Sequence, residues 1–119
     1  MPIALERLKK RSQFLAVAAT RRKWAADGLV LQARAREDGS DHIGIGFTAT
    51  KKVGNAVVRN RARRRLKEAA RVALRRAGTA GFDYVAIARA ATQAIPFERL
   101  VADFEAAARR LAPRPAVTQ

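Results

Sequence analysis

The sequence predicts a small α+β sandwich in which helices pack on a short mixed sheet. Three observations predict this class: segments in which apolar residues alternate, segments in which they recur every three or four positions, and turn residues between them. In chain order these segments give helix-strand-strand-helix-strand-helix. The chain has 119 residues, a length that fits one domain. We expect this single domain to cover residues 1–112.

The first two predicted elements are a short helix and a strand. Residues 5–11 are basic and are predicted to be irregular, and Ser12 is predicted to cap a helix that carries Phe14 and ends near Thr20. Residues 29–36 then alternate as in a half-buried strand. Its apolar face is formed by Leu29, Leu31, Ala33 and Ala35, and its more polar face by Val30, Gln32, Arg34 and Arg36.

The second strand follows a predicted hairpin turn at residues 37–41. In residues 43–49 the apolar side chains alternate again, and Gly44 and Gly46 share the opposite face. Because glycines leave that face without side chains, we expect a helix or a ligand backbone to approach the sheet closely there.

The second half of the chain predicts a long helix, a third strand and a last helix. An apolar stripe at helical spacing runs from Asn55 to Arg76, with Gly54 and Asn55 supplying a turn and a cap. Residues 82–89 predict a largely buried strand, and Pro96 begins a helix with a broad apolar face that includes Phe97. We expect residues 113–119 to form a disordered tail.

The composition indicates a polyanionic partner. The chain carries 25 Lys and Arg residues against 10 Asp and Glu residues, for a net charge of +15, which attracts nucleic acid or an acidic membrane at long range. It has no cysteine, so disulfides and thiolate metal sites are excluded. No apolar run reaches the roughly 20 residues of a membrane span, and the start does not resemble a signal peptide. We therefore expect a cytoplasmic protein.

Two thirds of this charge lies in one segment. Residues 51–76 hold eleven Lys or Arg residues against Glu68 alone, a local charge of +10. Like charges four positions apart on a helix repel by roughly 0.2–0.5 kcal/mol per pair, and arginine suits bidentate contacts with phosphate. We interpret the segment as a polyanion-binding helix, with a merely solvated basic face as the alternative. Its ridge consists of Arg59, Arg63, Lys67, Arg71 and Arg75, with Arg61, Arg64 and Arg65 beside it.

The run KKVGNAVVRNRARR at residues 51–64, followed by Leu66 and Lys67, closely resembles the signature of the ribonuclease P protein family. The Arg-Asn-Arg core of that signature is Arg59-Asn60-Arg61. Residues 8–14 are similar to the family's opening, and residues 83–89 are similar to its third strand. The resemblance spans residues 5–111.

The resemblance implies a fold like the second domain of a small-subunit ribosomal protein. It also implies the auxiliary protein subunit of an endoribonuclease, with catalysis by magnesium ions held in an RNA subunit and no cofactor held by the protein alone. The implied partners are that catalytic RNA and precursor tRNA, whose single-stranded 5′ leader would lie in a groove between the first helix and the sheet. Binding of the RNA subunit is expected at Lys51, Lys52, Arg59, Asn60, Arg61, Arg63, Arg64, Lys67 and Arg71, and of the leader at Phe14, Val30, Gln32 and Arg34.

Several alternatives remain open from the sequence. Phe14 suits a stacking platform or a core position, and the two roles can coexist. The polar face of the first strand suits bases or plain solvent. Ala18 and Gln32 stand where family members often carry aromatics, so stacking is expected to be weaker here. His42, the only histidine, has no partner at catalytic or metal spacing and is expected to be an exposed turn residue.

The acidic residues of the hairpin turn, Glu37, Asp38 and Asp41, are explained by turn chemistry, with a hydrated magnesium contact as the alternative. The functional alternative from another class is a structural RNA-binding protein of ribosomal type, which would use the same charge without assisting a reaction. A membrane role is not expected, because the basic helix pairs its charge with small alanines.

Overall fold

A five-stranded mixed sheet organises the protein in the computed structural model, which describes residues 4–113. In space the strands follow the order β1-β4-β5-β3-β2. The strand β4 pairs in parallel with β1 and β5, whereas β3 pairs antiparallel with β5 and β2. The strands are β1 (Leu5–Arg7), β2 (Lys23–Ala25), β3 (Leu29–Ala35), β4 (Ile43–Thr48) and β5 (Phe82–Ala88).

Three α-helices cover the two faces of the sheet. They are α1 (Arg11–Ala19), α2 (Ala56–Ala77) and α3 (Phe97–Arg110), and a short 3-10 turn (Ala90–Gln93) precedes α3. This architecture confirms the α+β class and all six predicted elements. Of the predicted tail, residues 114–119 lie outside the described residues. Among residues 4–113, no helix combines the length and the apolar character of a membrane span.

Two short strands, β1 and β2, were not predicted, and the prediction that residues 5–11 are irregular is wrong for residues 5–7. Leu5 lies opposite Ile43 in β4, and Trp24 lies opposite Leu31 in β3. Each of these strands has only three residues, so an alternating pattern is too short to recognise. Pairing defines them as strands: β1 pairs with the distant strand β4, and β2 pairs with the next strand, β3.

The predicted cap of α1 is also wrong. The helix begins at Arg11, and Lys10 occupies the N-cap position. The side-chain oxygen of Gln13 accepts hydrogen bonds from the backbone N–H groups of Lys9 and Lys10, at 3.0 and 2.9 Å. A side chain inside the first turn therefore satisfies the donors near the helix start, and Ser12 is not needed as a cap.

The main core lies between one face of the sheet and the helices α2 and α3. Alternate residues of β3, β4 and β5 point into it, and the largest fully buried side chains there are Tyr84 and Phe104. The predicted apolar stripe of α2 is buried in the same core except for Val58, which is half-buried. Phe97, predicted to lie on the apolar face of the last helix, is 37% exposed at the start of α3.

The opposite face of the sheet holds a smaller cluster around α1. Leu8, Val17 and Val85 are buried there. A Cβ atom built on Gly46 would clash with the ring of Phe14. The prediction that glycines admit a close approach is confirmed, and the approaching group is the helix α1.

Candidate nucleic-acid interface

The exposed side of α2 carries a dense set of cations. Because Ala62, Leu66, Ala69 and Ala73 are buried against the sheet and α3, the basic residues of the same helix are directed away from the core. Among residues 4–113, Arg71 alone of this set pairs with a carboxylate, that of Glu68 at 3.8 Å. We call these basic residues, together with the neutral Asn60 among them, the cationic face: Arg59, Asn60, Arg61, Arg63, Arg64, Lys67 and Arg71.

The entrance to the cationic face is a tight turn after β4. Lys51 and Lys52 are exposed in this turn, where the backbone N–H of Gly54 donates to the carbonyl of Lys51 at 3.2 Å. Gly54 has φ +152°, a conformation that favours glycine. The side chain of Asn55 accepts from the N–H of Val58 at 3.0 Å, as expected for a helix cap.

One of the arginines predicted to lie beside the ridge does not face solvent. Arg65 is directed toward the turn before α3, and its Nη1 donates to the backbone carbonyls of Thr92 and Ile95, each at 2.8 Å. Thr92 and Ile95 lie about 30 residues after Arg65 in the chain, so these bonds form only when the segment before α3 packs on α2. Arg65 therefore stabilises the fold and is not available to bind a polyanion.

A groove runs between the cationic face and β1. Its walls combine cations with the half-buried ring of Phe47, so it offers both phosphate-binding and apolar surface. The strand β1 adds Arg7, a contribution that the sequence analysis missed because β1 itself was not predicted. The groove is lined by Arg7, Phe47, Asn60, Arg63, Arg64 and Lys67.

A second basic depression lies where α1 meets the edge of β4. It is lined by Lys9, Arg11, Phe14, Phe47 and Thr48. Phe14 is half-buried, packed against Gly46 on one side and the smaller cluster on the other. The core position of Phe14 is therefore observed, and part of its ring stays accessible. Its role as a stacking platform stays a prediction.

A row of laterally paired residues crosses the α1 side of the sheet. The pairings place Thr48 beside Ile87, Ile87 beside Val30 and Val30 beside Ala25. We call this row the sheet lane. Its members are half-buried or exposed, and at about 4.8 Å per strand it spans roughly 14 Å. It connects the Phe14 depression with the opposite edge of the sheet.

The remaining predicted leader residues also face the α1 side. Gln32 pairs with Val85 and Lys23, next to the sheet lane. Arg34 lies opposite Asp83, with its Nη1 4.0 Å from the carboxylate. Part of the charge of Arg34 is therefore neutralised within the protein by Asp83. Arg34 differs in this respect from Val30 and Gln32, which are uncharged.

The carboxylate near Arg34, that of Asp83, forms a buried ion pair with Arg36 that was not predicted from the sequence. Asp83 is 3% exposed, and its Oδ1 accepts from Nη1 of Arg36 at 2.7 Å. The same guanidinium donates to Ser40 Oγ at 2.8 Å, to the carbonyl of His42 and to Asp38. The sequence hint of this ion pair was a single aspartate within the apolar strand β5. Its partner could not be identified without the register between β3 and β5.

The prediction of a hairpin turn at residues 37–41 is wrong, because β5 lies between β3 and β4 and these two strands do not pair. In the β3–β4 connection, turn contacts explain Asp38. The hydroxyl and then the backbone N–H of Ser40, together with Arg36, lower the pKa of Asp38 to about 2. His42 contacts Glu6 of β1, with Nε2 3.3 Å from the carboxylate. Among residues 4–113, no three His, Asp or Glu side chains lie close enough to hold a metal ion.

A mixed sheet carrying an arginine-lined helix on one side and a basic, partly aromatic depression on the other defines a small nucleic-acid-binding α+β protein. The model of the family Ribonuclease P matches residues 4–112. The chain belongs to the ribonuclease P protein family.

Curated relatives are similar over most of their length. A ribonuclease P protein component of Paramagnetospirillum magneticum is 51% identical over 115 residues, which covers 93% of this chain and 86% of the relative. One from Gluconacetobacter diazotrophicus is 55% identical over 104 residues, which covers 87% of this chain and 89% of the relative. The chain has the role of these relatives, that of a protein component of ribonuclease P.

Solved structures of such proteins share the fold. The RNase P protein of Staphylococcus aureus superposes with a TM-score of 0.69 at 25% identity, covering 85% of this chain and 90% of the other. The protein from Thermotoga maritima gives a TM-score of 0.74 at 24% identity, covering 91% and 99%. The predicted family and fold class are both confirmed.

Proposed function

We propose that this protein component binds RNA with two faces. The cationic face, with Lys51 and Lys52 at its entrance, binds the catalytic RNA subunit. The sheet lane and the Phe14 depression hold the single-stranded 5′ leader of precursor tRNA. The observation that carries the proposal is the cationic face itself, because its cations stay close together with one weak carboxylate partner among the described residues.

The energetics favour this division of tasks. A set of unpaired arginines repels itself in the free protein, and RNA phosphates remove that repulsion while releasing counterions. A leader base stacked on an aromatic ring adds ~1–3 kcal/mol, and the sequence of the leader matters little because every base has a π-face. Binding of precursor tRNA is thereby strengthened without contacts to the reacting phosphate.

Hydrolysis of the phosphodiester bond is assigned in this proposal to magnesium ions held by the RNA subunit. Among the described residues, Asp38 is engaged by turn contacts with Ser40, and no three His, Asp or Glu side chains lie close enough to hold a metal ion, which is consistent with this assignment. In the proposal, the protein contributes binding and charge, and it supplies neither a general base nor a nucleophile.

The test is single-turnover cleavage of precursor tRNA by the cognate RNA subunit at low magnesium, with and without the protein. Leaders of one nucleotide and of about ten nucleotides are compared, since basic grooves hold about four to sixteen. Activation that grows with leader length is expected. Absence of activation, combined with tight binding to ribosomal RNA, would instead establish a structural RNA-binding protein.

A further inference from the structure

An exposed aromatic ring lies among cations at the sheet edge formed by β2. Trp24, the only tryptophan of the chain, is 38% exposed on this strand. The guanidinium of Arg110, at the end of α3, lies 4.7 Å from the centroid of the indole ring. Arginine beside an exposed ring is the combination that stacks with bases in single-stranded nucleic acids.

The surroundings of this ring are uniformly positive. Residues 20–26 and 106–113 contain five basic residues and no acidic residue, and Nη2 of Arg22 joins the two segments by donating to the carbonyl of Leu111 at 3.0 Å. Among residues 4–113, only Arg109 of the five has a carboxylate partner, Glu105 at 3.4 Å. We call this surface the Trp24 corner: Arg21, Arg22, Lys23, Trp24, Arg109 and Arg110.

The Trp24 corner adjoins the end of the sheet lane at the edge strand β2. Ala25 is the last member of the lane and follows Trp24 directly, while Lys23 lies beside Gln32 on the α1 side. A chain that crosses the lane from Phe14 therefore leaves the sheet between Lys23 and Ala25. Trp24 pairs with Leu31 of the main core, so its indole ring lies on the α3 face. The chain reaches that ring and the two arginines at the end of α3 by passing round the edge of β2.

We propose that the Trp24 corner is a second contact for single-stranded RNA, which binds nucleotides beyond those on the sheet lane. The proposal rests on the proposed function only for the path across the lane. Single-stranded RNA fits because it presents both phosphates for the cations and unpaired bases for the ring. A membrane surface fits poorly, because Trp24 is the only large exposed apolar side chain of the corner.

The fluorescence of Trp24 provides a direct test, since no other tryptophan contributes. The full-length protein is titrated first with the RNA subunit alone, and the resulting holoenzyme is then titrated with precursor tRNA carrying a one-nucleotide leader or one of about ten nucleotides. Quenching by the longer leader only assigns the corner to the leader. Quenching in the first step, by the RNA subunit alone, overturns the proposal, because the nucleotides of that subunit do not follow those on the sheet lane. Emission that responds to neither RNA, or only to anionic vesicles, overturns the proposal.

Two variants separate RNA contact from structural packing. Trp24→Leu keeps apolar bulk without a π-face, and Arg110→Gln removes the charge. Each is expected to weaken binding of the RNA that quenches Trp24 by about fivefold or more, with an unchanged thermal midpoint for Arg110→Gln. Arg99→Gln is the matched control, because Arg99 is exposed on the same helix but pairs with Asp27 and Asp103.

The outcomes distinguish this inference from the proposed function. If the wild-type protein activates cleavage while both variants bind RNA normally, the Trp24 corner is not an RNA contact and the proposed function stands. If the wild-type protein activates no precursor, the proposed function fails, whereas the fluorescence response to RNA still decides the role of the corner.

Discussion

At the scale of single residues, close packing of α1 depends on a missing side chain. Gly46 leaves room for the ring of Phe14 to lie on the backbone of β4, and this contact fixes α1 beside the sheet lane. The same ring thus closes the smaller core cluster and borders the depression that faces solvent. A substitution of Phe14 therefore changes both the packing of the smaller cluster and the surface of the depression.

Gly46→Ala is expected to destabilise the protein by ~1–3 kcal/mol, because the new methyl group displaces the ring of Phe14. Urea unfolding measures the loss. The double variant Gly46→Ala with Phe14→Leu should be less destabilised than the sum of the two single variants, since the smaller side chain vacates the site. Strict additivity of the two effects would contradict the proposed contact.

Asp83→Ala is expected to cost ~3–5 kcal/mol of folding stability, because it leaves the buried guanidinium of Arg36 without its main charged partner. Asp38→Ala is the matched control: it removes the exposed carboxylate on the same guanidinium and should have a much smaller effect. Thermal or urea unfolding compares the two variants. Equal losses would show that the burial of Asp83 is unimportant.

Burial raises the pKa of the Tyr84 phenol above its ordinary value of 10. Because the folded protein holds this proton more tightly than the unfolded chain, stability is fully present below pH 10 and is lost as pH rises above it. Absorbance titration of the only tyrosine should give a midpoint above that of free tyrosine. Tyr84→Phe should remove this component of the alkaline stability loss, and a midpoint at the ordinary value would contradict the burial.

At the scale of elements, α2 divides its arginines between two tasks. Arg65 and Arg76 bind groups outside the helix but within the protein, namely the carbonyls before α3 and the carboxylate of Glu105. Arg63 and Arg64 line the groove beside β1. The helix thus joins the fold through some arginines and offers the others to a partner.

Arg64→Gln is expected to weaken binding of the RNA subunit by about tenfold or more, because a charge-assisted phosphate contact is lost. The slope of log affinity against log salt should decrease by ~0.7–0.9. Arg75→Gln is the matched control, since Arg75 lies three turns further along the same side of α2, roughly 16 Å away. Equal effects at both positions would mean that binding is spread along the whole helix.

The sequence predicted those elements whose signal lies within their own residues. The helix α2, with its stripe and its Asn55 cap, is one, and the alternating strands β3, β4 and β5 are others. The strand β1 escaped prediction because its partner β4 lies far away in the chain, and β2 escaped because three residues are too few to show an alternating pattern.

The candidate site divides along the same line. The basic residues of the cationic face could be named from charge and spacing, whereas Asn60 was named from the family resemblance. The structure places all of them on one helix. The inward turn of Arg65 and the Arg36–Asp83 pair could not be predicted, since both depend on contacts between distant segments. The place of Arg7 in the groove could not be predicted either, because β1 was not recognised in the sequence.

At the scale of the whole molecule, the net charge of +15 opposes folding of the free protein through self-repulsion. Added sodium chloride screens this repulsion, so the free energy of unfolding should rise between ~0.01 and ~0.15 M salt. Urea unfolding at several salt concentrations measures the effect. A variant with Lys67→Glu and Arg75→Glu should show a weaker dependence, and a fall in stability with salt would contradict a dominant role for repulsion.

The central position of β5 governs the order in which the protein can be made. The strands β3 and β4 precede β5 in the chain, yet they do not pair with each other, and β5 lies between them. Until the ribosome has released residues 82–88, the sheet consists of two separate pieces, whereas the basic segment of α2 has already emerged. Folding and capture by RNA therefore compete for the same nascent segment, and a chain truncated before Phe82 should bind RNA without forming this sheet.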